Sequence, residues 1–135
     1  MREILFRGKR KENDEWVFGD LIHEPWASCI QVMENDNINT FKFKRTKYSV
    51  HKETVGQYTG LTDKNGVKIF EGDIVTIPDS KKMGLPALIR YDYVRATFEV
   101  SRSGYNPLSL IDAREFYEVI GNIHDNPELL KEGGE

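Results

Sequence analysis

The chain has 135 residues, 39% of them hydrophobic, and carries 19 Lys and Arg against 22 Asp and Glu for a formal net charge of −3. That length suits one ordinary domain or two very small ones sharing a core, and the acidic balance argues against a dominant phosphate-binding surface. No apolar run approaches the roughly 20 residues of a membrane span, the N-terminus lacks a signal-peptide core, and the lone Cys29 has no partner within the chain, so a soluble protein in a reducing cytoplasm is expected.

In chain order, EILFRG and WVFGDLIH read as β-rich runs joined by the polar segment GKRKENDE, which predicts a hairpin. SCIQVM and TFKFKRTKYSV predict a second one, with ENDNIN supplying Asn and Asp residues that tolerate left-handed backbone. The stretch GQYTGLTDKNGVKIFEGDIV follows. Within it Asn65-Gly66 sits where a tight turn needs positive φ, and Gly72 opens the strand GDIVTI. PDSKKMGLP reads as a surface loop, and LIRYDY with TFEVS as a further hairpin around Val94-Arg95-Ala96. PLSLIDARE fits one helical turn or two over too few residues to decide. FYEVIGNI reads as a last strand, and Asn126-Pro127 as the start of a short helix, with Asp125 or Asn126 capping it and Leu129 and Leu130 behind.

The expected fold is therefore mainly β, with two small antiparallel β subdomains and a short C-terminal helix. The N-terminal subdomain is placed at residues 1–60, the C-terminal one at 61–131, and a flexible tail at 132–135. Charge divides there as well: residues 1–60 hold 10 basic and 9 acidic side chains, and residues 61–135 hold 9 and 13. The run Phe70-Glu71-Gly72-Asp73-Ile74-Val75 is similar to the GD-x-V opening of SH3-like barrels, which offers such a barrel as one form of the second subdomain.

Three blocks taken in order carry a wider likeness: LFRGKRKENDEWVFGDLI, TVGQYTGLTDKNGVKIFEGDIV and VIGNIHDNPELL. Together they resemble the YopX family of bacteriophage and prophage proteins over nearly the whole chain. The resemblance implies a small, mainly β protein acting in the cytoplasm of a bacterial host. It implies no reaction and assigns no catalytic or ligand-binding residue. Residues 24–50 and 79–114 lie between the blocks, and partner specificity is expected there.

The polar residues of the central stretch invite a ligand reading, but Asp63, Asn65 and Glu71 do not follow the spacing of an EF-hand loop. Turn and strand-start roles are expected for Asp63, Asn65, Gly66, Gly72 and Asp73. His23, His51 and His124 stand far apart and belong to no metal-binding spacing. Neither a G-x-S-x-G elbow nor a phosphate-binding glycine loop occurs, and Cys29 in an apolar run reads as an inert core thiol unless a base stands beside it. No cofactor is expected.

The best charged feature is FKFKRTKY, where strand alternation places Lys42, Lys44, Thr46 and Tyr48 on one face and Phe41, Phe43, Arg45 and Lys47 on the other. With Lys9, Arg10 and Lys11 these cations form a candidate phosphate-binding patch, and Tyr48 or Trp26 offers a ring for base stacking. The competing reading is an edge strand whose lysines discourage aberrant pairing. Trp16 and Phe18 are expected in the core. Trp26 after Pro25 reads as a loop or strand-start residue and, with Tyr48, as a candidate interface aromatic.

The leading functional expectation is a non-catalytic accessory protein that binds a host or phage protein, or copies of itself, through strand edges and an aromatic patch. The alternative is a nucleic-acid-associated module built on the basic strand. A third reading, a small metal-dependent or hydrolytic enzyme, requires Asp63, Asp73, His124 and Asp125 to meet in one pocket.

Overall fold

The structure is a computed structural model that describes residues 1–35, 43–77, 85–102, 108–109 and 116–131. The expectations for Lys42, most of the surface loop after Ile77, most of PLSLIDARE and the tail at 132–135 fall outside these residues. The chain divides into two units, Met1–Gln57 and Tyr58–Glu135.

The first unit is built from β1 (Phe6–Lys9), β2 (Trp16–Glu24), β3 (Ala27–Asn35) and β4 (Phe43–Val50), each antiparallel to the next. In the β1–β2 turn the Asn13 side chain accepts from the Glu15 N–H and Asp14 takes a positive φ of 59°, which Asn and Asp do more readily than most residues. Alternation sends Ile30 and Val50 inward, both fully buried. The far ends of β1 and β4 are then tied together. Arg10 bridges Val50, the His51 N–H donates to the Lys9 carbonyl at 2.8 Å, and the Lys11 N–H donates to the Ser49 carbonyl at 3.0 Å. Gly8 makes this approach feasible, because a Cβ there would lie 3.0 Å from the Val50 side chain. Buried Thr54, in the 3-10 turn Lys52–Thr54, locks the junction by accepting from the Lys9 N–H and donating to the His51 carbonyl.

The even-numbered positions of β2 face away from Ile30 and Val50, which corrects the expectation for two aromatics. Trp16 is only half-buried, beneath the Arg7 guanidinium at 4.7 Å, and Phe18 is 46% exposed. Their size and strand position suggested core, but the side of the sheet decides burial.

Strand β5 (Gly56–Thr62) begins in the first unit, where Gly56 and Gln57 pair with Arg7 and Phe6. In the second unit it pairs with β6 (Lys68–Phe70), bringing Tyr58 opposite Phe70 with ring centroids 5.6 Å apart. A five-stranded antiparallel sheet follows, of β7 (Asp73–Ile77), β8 (Leu85–Asp92), β9 (Thr97–Ser101), β10 (Leu108–Ser109) and β11 (Glu118–Asn122), in the order β10-β9-β8-β7-β11. Its core gathers Ile69, Val75, Ala87, Ile89, Val100 and Tyr117. A four-residue helix, α1 (Glu128–Lys131), ends the described chain. No helix among the described residues is long and apolar enough to cross a membrane.

The barrel expectation is corrected: among the described residues the second sheet is open. Both sides of β7 are taken by β8 and β11, and β10 and β11 stand at opposite ends of the row rather than paired to each other. The Gly72-Asp73 sequence serves a tight turn into β7, and that local geometry does not require closure.

The two central turns do follow their residue types. Gly66 has φ 81° and Gly72 has φ 94°. A Cβ on Gly66 would meet nothing within 4 Å, so Gly66→Ala carries torsional strain alone. It is expected to lower stability by about 1–2 kcal/mol, read by urea denaturation, and Gly66→Asn by less because Asn tolerates left-handed backbone.

Candidate functional site

Two acids of the central stretch, Asp63 and Asp73, are committed to backbone. Asp63 is 3% exposed. One of its carboxylate oxygens accepts from the Asn65 and Val67 N–H groups at 2.8 and 2.9 Å, and the other accepts from the Val119 N–H at 3.0 Å. Burial pushes its carboxyl up, but these three donors outweigh burial and hold it below the usual aspartate value. Asp73, also buried, accepts from the Phe70 N–H at 2.7 Å. Asp125 accepts from the Asn122 side chain, whose own oxygen receives the His124 and Asp125 N–H groups. Among the described residues no group of three or more His, Cys, Asp or Glu is placed to hold a metal ion.

The cations named from sequence are distributed over both faces of the first sheet. Lys9 lies over the Trp16 ring at 5.6 Å. Arg10 points to the opposite side, stacked on Tyr48 at 4.3 Å and paired with Glu12 at 2.7 Å. Lys44 lies across from Glu34 and Arg45 across from Met33, so alternation puts these two neighbours on opposite faces. Tyr48 is half-buried and donates its hydroxyl to Glu34, which raises its pKa, and Arg10 covers one side of its ring.

Lys11 and Trp26, fifteen positions apart in sequence, are brought together. They line a cleft of about 350 Å³ within the first unit, at the β2–β3 turn. Trp26 stands on that turn and is 78% exposed. Lys52, from the 3-10 turn, faces the same space, with His23 and Glu24 from the end of β2 and Ser28 from the start of β3. Ser28 pairs with Val50 and Arg10 bridges Val50, so the tie between β1 and β4 delivers Lys11 and Lys52 to the turn. Sequence reasoning weighed His23 only as a metal ligand and missed Ser28, Glu24 and Lys52. Lys11 and the Pro25-Trp26 pair were the visible signals.

The charges of the cleft divide into matched and unmatched groups. Glu24 pairs with Lys47 at 3.1 Å and accepts from the Cys29 thiol at 3.3 Å. The Lys47 bond, followed by the thiol bond, lowers the Glu24 pKa. Cys29 itself is 3% exposed, and burial, then the bond to Glu24, pushes its thiol up. A thiol held protonated is a weak nucleophile. Lys11 and Lys52 have no ion-pair partner among the described residues.

Fold and site together define a small antiparallel β protein with a mixed-charge cleft on its first sheet. The chain belongs to the YopX family, whose model, YopX protein, matches residues 5–131. That membership points to a phage-type protein. No curated protein matches the chain. Among solved structures it is similar to the protein EF1440 from Enterococcus faecalis, at TM-score 0.62 and 25% identity, over 96% of this chain and 99% of that one.

Proposed function

We propose that this protein is a non-catalytic phage accessory module of the bacterial cytoplasm that works by self-association through the exposed face of its first sheet. One observation carries the reading: Phe18, Met33 and Phe43 are 46%, 54% and 60% exposed, on three adjacent strands. Met33 pairs with Arg45, and Phe43, two residues before Arg45, lies on that face, while Phe18 shares the face of Asp20, which pairs with Gln31. An apolar group of this kind spread over neighbouring strands has the character of an interface centre.

A second copy suits it by charge. A two-fold axis along β3 sets β2 of one copy over β4 of the other. Asp20 and Lys47, which flank Gln31 at the same level, then meet across the interface, with Met33 against Met33 at the axis. Light scattering after size exclusion is expected to give a discrete oligomer that persists at high salt. The double variant F18D/M33D is expected to be a folded monomer. A wild-type chain that stays monomeric at high protein concentration contradicts the proposal.

A further inference from the structure

We propose that the cleft at the β2–β3 turn binds a nucleoside phosphate, its planar base stacked on Trp26 and its phosphate held between Lys11 and Lys52. The cleft and the Phe18–Met33–Phe43 group involve different residues, and Lys47, which pairs with Glu24 outside the cleft, is the side chain that both readings use.

The argument rests first on charge. Two of the acids near the cleft are matched by cations, Glu12 with Arg10 at 2.7 Å and Glu24 with Lys47 at 3.1 Å, while Asp14 and Glu53 share the single His51 ring at 2.9 and 4.0 Å and neither lines the cleft. Lys11 and Lys52 are left as two ammonium groups lining one concavity, and an anion between them relieves their mutual repulsion. Both carboxylate oxygens of Glu24 are engaged on the Cys29 and Lys47 side of the sheet, so this acid does not compete with an anion for the two lysines.

The remaining features fit a planar group attached to the anion. The Trp26 indole is 78% exposed at the same cleft, and a base stacked on such a ring gains roughly 1–3 kcal/mol. Ser28 is 8% exposed and lines the wall with His23, and both offer polar atoms to a ribose or phosphate oxygen. A cleft of about 350 Å³ lies at the small end of the roughly 300–1,000 Å³ range of small-molecule sites. The scattered cations elsewhere on the sheet, with a net charge of −3, favour one or two phosphates over a long polyanion tracked along a groove. The same chemistry occurs in a free mononucleotide and at the phosphorylated end of a single strand.

The two tryptophans make the test internally controlled, since Trp16 sits half-buried beneath Arg7. The indole N–H resonances of the full chain are followed while adenosine 5′-monophosphate, adenosine, inorganic phosphate, and a short single-stranded oligonucleotide with or without a 5′-phosphate are titrated separately. The mononucleotide is expected to move the Trp26 resonance and leave Trp16 in place. The K11E/K52E variant, altered at two exposed lysines, is expected to keep a dispersed amide spectrum and lose affinity by about tenfold or more. Tighter binding of the phosphorylated oligonucleotide than of the mononucleotide assigns the site to strand ends, and the reverse assigns it to free nucleotides. No movement of Trp26 at millimolar mononucleotide, equal binding of adenosine, or full binding by K11E/K52E each overturns the proposal.

Discussion

Asp63→Ala is expected to lower folding stability by about 3–5 kcal/mol, measured as the shift of the urea midpoint. The substitution strands the N–H groups of Asn65, Val67 and Val119, all of which the carboxylate now receives at 3.0 Å or less. The three bonds are part-buried, and each donor abandoned out of reach of water costs about 1–3 kcal/mol, with water recovering part of the total. The bond to Val119 spans 56 positions, so the loss reaches beyond the turn to the attachment of β11. Asp92 supplies a control. Its side chain also accepts from N–H groups in a turn, those of Val94 and Arg95, but at an exposed site, where water replaces the lost acceptor. Asp92→Ala is expected to cost less than about 1 kcal/mol. Equal losses at the two positions would show that burial does not set the value of these bonds.

The same residue sets a pH dependence whose sign is fixed by the direction of its shift. The folded-state pKa of Asp63 lies below its ordinary value, so the unfolded chain takes up the proton first as pH falls. The stabilisation is therefore complete above the unfolded aspartate pKa, about 3.9, and is lost as pH drops through the folded-state value. Denaturation midpoints taken across that acid window should fall more steeply for the wild type than for Asp63→Asn, which has no proton to gain.

Gly19→Ala is expected to cost about 2–3 kcal/mol for a different reason. A Cβ at this position would collide with the Gln31 carbonyl oxygen and lie 3.3 Å from the Ile30 side chain. The oxygen belongs to the backbone of β3 and cannot rotate aside, so β2 and β3 must separate beside fully buried Ile30. The larger Gly19→Asn should be worse than Gly19→Ala, whereas at Gly66 Asn should be better than Ala. Opposite orders at the two glycines, in one denaturation series, separate a steric requirement from a torsional one. The same order at both would remove that distinction.

Much of the fold was legible because its signals are local. The alternation in WVFGDLIH and TFEVS, the Asn65-Gly66 turn and the Asn126-Pro127 helix start depend on backbone preferences that act within a few residues. They lead to β2, β9, the turn before β6 and α1 without reference to the rest of the chain. The cleft was legible only in part. Lys11 and Trp26 were each notable, but their proximity depends on β4 returning to the end of β1 through Val50. Lys52 gave no signal at all, since one lysine after a strand is ordinary.

By itself, then, the amino-acid order determined the strands, the tight turns and the absence of a long apolar segment, because period-2 patterning and glycine torsions are properties of short stretches. Tertiary structure alone decided which side of each strand is covered. It turned Phe18 outward, stacked Arg10 on Tyr48, left the second sheet open and placed two lysines beside Trp26. The physical reason is that burial and charge pairing arise from contacts between segments far apart in sequence. Alternation states that a strand has two faces, and only its neighbours determine which one meets water.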